Sequence, residues 1–251
     1  MIKIKSSAEL RKMLEANEIA AQALALAGRT VRAGMSTWEL DKTVHDFIVS
    51  KGAVPSSLGY AGFPNSCCIS VNEELIHGIP SKKKIIKEGD IVTVDVTTLY
   101  KGWQGDNART FKIGTVSPEA ERIMKVTEEA LWKGIEQAVP GNRVGDISAA
   151  VQQYVESNGY HVVRQFVGHG IGAEMHEDPE VPNFGKAGRG PRLVPGMTIC
   201  IEPMVNETTP EVKILGDKWT VVEANGHLSA HFEHCIAITN DKPLIMTLES
   251  H

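Results

Sequence analysis

Gly34 and Gly52 bracket an amphipathic segment, and 107 positions later (141 − 34 and 159 − 52) Gly141 and Gly159 bracket another of equal length. At the same offset Leu40, Val44, Phe47 and Ile48 map onto Ile147, Val151, Tyr154 and Val155. An apolar stripe with this spacing is one face of a helix, and that face has to be buried. A stripe that recurs between the same glycine stops predicts two related halves, about 7–113 and 117–240, each built of two helices and sheet strands. No Pro/Ser/Gly linker separates them, so residues 1–251 read as one domain: α/β (α+β), a pseudo-twofold sandwich with helices outside and a curved antiparallel sheet inside.

Local signals fill in the elements. A long helix is predicted from about Ser7 to Val31, and a second from a capping box of Ser36 and Glu39. Ser117 and Pro118, with Glu119 and Glu121 in the first turns, start a third that runs to about Ala138, and a second capped helix follows. Strands are expected at Cys68–Val71, Ile91–Leu99, His161–Val167, Met197–Val205, Val212–Val222 and Leu228–Ile238.

A formal charge of -5 argues against a DNA-binding surface, since phosphate contacts need a concentrated basic face. The run Lys82, Lys83, Lys84 and Lys87 reads as a solvated turn before the strand at Ile91, with contact to an RNA-rich partner as the minor reading. The N-terminus lacks an apolar signal region, and no uncharged run is long enough to cross a bilayer, so the expectation is a cytoplasmic protein without a membrane partner. Cys67, Cys68, Cys200 and Cys235 form no CxxC pair and suit neither a disulfide framework nor a thiolate zinc site.

Chemistry enters where polar residues interrupt apolar runs. Asp95 stands inside IVTVDVTTL, where an unpaired carboxylate is costly to bury. Tyr100 to Gly105 reads as a turn, and Asp106 lies 11 positions after Asp95. In a hairpin with an even number of loop residues, that odd separation puts both carboxylates on one face. Downstream, His169 sits in GHGIG, where the glycines leave room for a ligand near the backbone, and His176 follows in MHEDP. Glu202 in TICIEPM and Glu233 in AHFEHCIAI each place an acid in an apolar strand. Four acids and one imidazole make a hard, oxygen-dominated site, and four negative charges balance two divalent cations. A two-metal hydrolase is the chemistry that suits such a site.

The motifs NEELIHGIP, VDV, VGHGIGAEMHEDP, PGMTICIEPM and AHFEHCIAIT, in this order, resemble those of type I methionine aminopeptidases over essentially the whole chain. The resemblance implies the pita-bread fold and removal of the initiator methionine from nascent proteins whose second residue is small. It implies Asp95, Asp106, His169, Glu202 and Glu233 as ligands of two divalent ions (Co, Mn, Fe or Zn), with Asp106 and Glu233 shared. His176 would stabilise the tetrahedral intermediate, His77 would lie over the residue after methionine, and Glu202 would shuttle the proton. Tyr60, Phe63, Cys68 and Trp219 would form the methionine pocket. Ser57 and Met175 occupy pocket positions where other members can carry a cysteine and an aromatic. Members also hold a monovalent cation on backbone oxygens, at positions matching Asn72, Glu74 and Ser229. A monomer with transient ribosome contact completes the expectation.

Two other readings are open. An Xaa-Pro aminopeptidase of the same fold shares the five-ligand logic but usually carries an additional N-terminal domain. A non-catalytic pita-bread protein would bind peptides or partners and is expected to have lost ligands, whereas all five candidates are present here.

Overall fold

A computed structural model describes residues 1–248. Its four α-helices are α1 (Ser7–Thr30), α2 (Thr37–Ser50), α3 (Pro118–Glu136) and α4 (Val144–Ser157). Capping boxes of Ser6 with Glu9 and Ser36 with Glu39 start the first two, and the Ser117 hydroxyl caps the third at the Ala120 N–H. α4 begins differently: Arg143 is the N-cap, and the Asp146 carboxylate accepts its backbone N–H at 2.7 Å. The four glycine stops all have positive φ (84°, 72°, 96° and 83°), which only glycine adopts without strain.

The repeated stripe is the buried one. Leu40, Val44 and Ile48, and their counterparts Ile147, Val151 and Val155, are fully buried. The first three pack with Val92, Val94 and Val96, while Ile147 packs with Ile199, Ile201 and Ile236. Each such side chain contributes roughly 1.5–3 kcal/mol on leaving water.

The strands pair antiparallel throughout, but the curved sheet is broken into four hydrogen-bonded pieces. The first is dominated by the hairpin Ile91–Tyr100 and Trp103–Lys112, flanked by Cys68–Val71 and Val54–Pro55. Its loop is only Lys101 and Gly102, both at positive φ, so Trp103 to Gly105, expected in a turn, already belong to the ladder. A five-stranded sheet contains Thr198–Ile201 between Gly168–Gly170 and His234–Ala237.

The long strands expected in the second half are shorter. Met197–Val205 splits into Thr198–Ile201 and Met204–Asn206, because Pro203 has no N–H for a ladder. Leu228–Ile238 splits into Ser229–His231 and His234–Ala237, since Glu233 turns its N–H to Ala108 O on the hairpin, at 2.9 Å. Val212–Val222 is interrupted by a turn at Leu215–Lys218, and only His161–Val162 of His161–Val167 is strand. Among the described residues, no helix is long and apolar enough to cross a membrane.

Candidate metal centre and active site

The hairpin register decides the first pair of carboxylates. Thr97 lies opposite Asp106, and Asp95 lies opposite Ala108. Opposed residues share a face, as do residues two apart, so Asp95 and Asp106 are diagonal neighbours on one face, as their separation predicts. Helix α1 holds that face in place. A Cβ on Gly105 would lie 2.6 Å from Ala16 O, so the helix rides directly on the hairpin. Its buried Asn17 donates to Gln104 O (3.3 Å) and accepts the Asp106 N–H (3.4 Å).

His169 comes from the other half, on Gly168–Gly170. Its Nδ1 lies 2.9 Å from Gly170 O, and a carbonyl only accepts, so Nδ1 carries the proton and Nε2 presents a lone pair. That Nε2 stands 3.7 Å from Asp106 Oδ2 and 3.6 Å from Glu202 Oε1. The flanking glycines also meet a packing demand. A Cβ on Gly168 would meet Cys200 O at 2.4 Å, and one on Gly170 would meet Asp178 O at 2.1 Å, so close strand packing requires them. Glu202 and Glu233 likewise stand not within strands but in the breaks that follow Ile201 and His231.

Burial first, and then neighbouring carboxylates, push Asp106, Glu202 and Glu233 well above the ordinary carboxylate range. Burial raises Asp95 as well, against an opposing pull from His231. Asp95 Oδ1, Asp106 Oδ1 and Glu233 Oε1 are buried with no hydrogen-bond partner. Such a cluster lacks positive charge, and its carboxylates with one imidazole lone pair fit divalent cations. Ligand atoms of Asp106, His169 and Glu233 lie within 4.8 Å of one another, as do those of Glu202, His231 and Glu233. The Cys200 thiol belongs to the first group, but burial, and then Cys235, hold it well above its usual range, so it stays protonated and coordinates poorly.

Beside this cluster opens a cavity of about 200 Å³. All the pocket residues expected from sequence line it: Ser57, Tyr60, Phe63, Cys68, His77, Met175, His176 and Trp219. Phe63 meets Trp219 edge to face with centroids 5.2 Å apart, and His77 stands edge-on to Trp219 at 6.1 Å. Cys68 is opposite Asp95 in the ladder, which sets a soft sulfur against the floor of the site. The Ser57 hydroxyl lies 2.7 Å from that of Thr97. The Tyr60 hydroxyl lies 2.8 Å from His176 Nδ1, and the His176 and His169 rings are 4.3 Å apart. His77 has φ of 58°, unusual for a residue with a side chain, and Gly78 follows where a Cβ would strike Ile69 O at 2.2 Å. Burial lowers the His77 pKa to about 4 and lowers that of His176, so both imidazoles are neutral at neutral pH.

Several residues at the site escaped the sequence reading. Phe166 lines the cavity edge-on to His77 at 5.8 Å, and Thr97 lies between the two hairpin acids. His231 is 1% exposed, with Nε2 3.5 Å from Glu202 Oε2. Its signal was position: His231 stands two residues before Glu233. Elsewhere, Asn72 O accepts the Ser229 N–H at 3.0 Å, while the Glu74 carboxylate is paired with Lys84. Lys82 lies 4.3 Å above the Trp38 ring, so part of the basic run is engaged by its own fold.

Carboxylates and an imidazole brought together beside a cavity define a class, and the comparisons agree with it. The chain belongs to metallopeptidase family M24, whose model matches residues 11–240. Within that family it is similar to several proteins named methionine aminopeptidase. It is 52% identical over 248 residues to a methionine aminopeptidase of Clostridium acetobutylicum, covering 99% of each chain, and 47% identical over 239 residues to methionine aminopeptidase 1 of Bacillus subtilis, covering 95% and 96%. The solved methionine aminopeptidase of Thermotoga maritima superposes with a TM-score of 0.98 at 42% identity, over 99% of this chain and 100% of that one. A prolidase from Pyrococcus furiosus shares the fold alone, at 23% identity and a TM-score of 0.79, with 66% of its length matched.

Proposed function

We infer that the chain is a metal-dependent aminopeptidase that removes the N-terminal methionine from nascent proteins whose second residue is small. The observation that carries this reading is the cavity itself, lined by the carboxylate cluster together with Phe63, Cys68, Met175 and Trp219. A thioether binds well among aromatic faces and sulfur.

Asp95, Asp106, His169, Glu202 and Glu233 would hold two divalent cations, which supply Lewis acidity at the scissile carbonyl and acidify water. Glu233 has ligand atoms within 4.8 Å of those of Asp106 and His169 and also of Glu202, which suits a shared ligand. Since neither half contains all five, residues 1–251 act as one catalytic domain. Cobalt, manganese, iron and zinc all suit the donors, and availability in the cell selects among them.

The protein's own groups do the rest. His77 borders the space for the residue after methionine, while Ser57 and Met175 shape the methionine pocket. With His176 Nδ1 accepting from the Tyr60 hydroxyl, Nε2–H would be left to donate to the carbonyl oxygen as negative charge develops there. Glu202 carries the proton from water to the leaving amine. The enzyme works as a monomer in the cytoplasm, meeting new N-termini at the ribosome, and a monovalent cation at Asn72, Glu74 and Ser229 would tie the two halves together.

Metal analysis of the purified chain, with release of methionine from Met-Ala-Ser, tests this. Metal-dependent release is expected. A protein that binds no divalent metal, or that cleaves Xaa-Pro peptides in preference, overturns it.

A further inference from the structure

His231 is nearly inaccessible, yet both of its ring nitrogens are buried without a hydrogen-bond partner. Unpaired nitrogens of this kind are costly in a folded core and call for a polar partner nearby. The imidazole is also firmly placed. Its backbone N–H donates to Thr110 Oγ1 at 3.1 Å, and its carbonyl accepts the same hydroxyl at 3.0 Å. In the ladder it lies opposite Met204, two residues beyond Glu202.

A carboxylate oxygen of the proposed proton carrier lies close to this ring. Glu202 is faced on two sides, with Oε1 3.6 Å from His169 Nε2 and Oε2 3.5 Å from His231 Nε2. His169 Nε2 is a lone pair, because Nδ1 is bonded to Gly170 O, so it cannot donate to Oε1. His231 has no such carbonyl partner and is free to carry its proton on Nε2.

We propose that His231 is a positioning residue for Glu202: its Nε2–H donates to Oε2 and keeps the carboxylate turned with Oε1 toward His169. This rests on the proton-carrier reading of Glu202. Losing the donor would let the carboxylate rotate, which misplaces the atom that moves the proton while leaving the peptide pocket intact.

Turnover of Met-Ala-Ser by the manganese-loaded full chain tests the proposal with His231→Asn and His231→Gln, two amides that differ in reach. We expect His231→Asn to lower kcat by about 10- to 100-fold, as lost partners of site groups commonly do, with KM and bound manganese unchanged. His231→Gln, whose longer side chain still reaches Oε2, should recover most of the rate. Wild-type turnover in His231→Asn, equal defects in both, or loss of manganese in either overturns the proposal. Nitrogen-15 spectra of histidine-labelled, metal-free protein give a second readout, in which His231 should carry its proton on Nε2. A proton on Nδ1 overturns the proposal as well. Glu202→Gln separates the two readings, since full activity there removes the proton-carrier role of Glu202 whatever His231 does.

Discussion

The Tyr60 hydroxyl lies 2.8 Å from Nδ1 of His176, a contact between residues 116 positions apart. Tyr60 and His176 both line the cavity, and this hydrogen bond helps to fix which way the His176 ring faces. Tyr60→Phe should lower kcat by about fivefold to tenfold, the worth of one hydrogen bond of roughly 1 kcal/mol. His176→Ala should cost roughly 100- to 1,000-fold in kcat, as for a lost oxyanion donor, with metal content unchanged. Steady-state kinetics with metal analysis checks both, and a His176→Ala protein without metal would make His176 a ligand instead.

Asp106→Asn and Glu233→Gln should each abolish turnover, because a neutral amide is a poor ligand for two cations. Their effect on the metal-free fold should run the other way. Both carboxylates are buried, carry unpaired oxygens and repel their neighbours, so neutralising either should leave the metal-free melting temperature equal to or above wild type. Calorimetry of metal-free samples measures this, and near-normal turnover in either variant at saturating metal sinks the two-metal assignment.

The same electrostatics give a pH dependence. Asp95, Asp106, Glu202 and Glu233 have folded pKa values raised above the unfolded ones, so the native state binds more protons. Stability from these groups is complete below the ordinary carboxylate range near 4 and declines as pH rises from there. His169 is lowered to about 4, so its contribution runs oppositely and is lost as pH falls below about 6.5 toward 4. Bound divalent metal requires the carboxylates ionised and His169 neutral, so the gain in melting temperature on adding manganese should grow from pH 5.5 to pH 8. A gain that shrinks with pH contradicts this assignment of the ligands.

Specificity should be sharper at the second residue than at the first. Differences of shape in an apolar pocket discriminate by roughly 1–3 kcal/mol, so leucine should replace methionine at a moderate loss. His77 is held at φ 58° against Phe166 and Trp219, which makes the space beside it hard to enlarge. A long second side chain would displace the scissile carbonyl, and displacement by about 1 Å can cost on the order of 100-fold. In a Met-X-Ser panel, Met-Ala-Ser should therefore far exceed Met-Leu-Ser and Met-Lys-Ser in kcat/KM. Equal rates would remove His77 from this role.

Gly105→Ala should be destabilising out of proportion to one methyl group. Its Cβ would sit 2.6 Å from the backbone oxygen of Ala16, so α1 must lift from the hairpin that carries Asp106. A cost of about 1–3 kcal/mol is expected for such overpacking. Denaturant unfolding reads the stability, and a loss of kcat without a change in stability would point to Asp106 alone.

Sequence by itself determined the four helices, the stripes they bury and the face shared by Asp95 and Asp106. Helical spacing, caps and strand parity are local rules, settled within a few residues. The resemblance of the motifs carried the family and the pocket residues. Tertiary structure decided what depends on distant backbone: Asn17 at Asp106, the strand breaks that present Glu202 and Glu233, and the packing of Gly168 and Gly170. It also placed Phe166 at the cavity and His231 behind Glu202. Glu233 leaves its strand because its N–H finds Ala108 O, 125 positions earlier (233 − 108). No local pattern encodes that partner, since it exists only once strands far apart in the sequence have packed together.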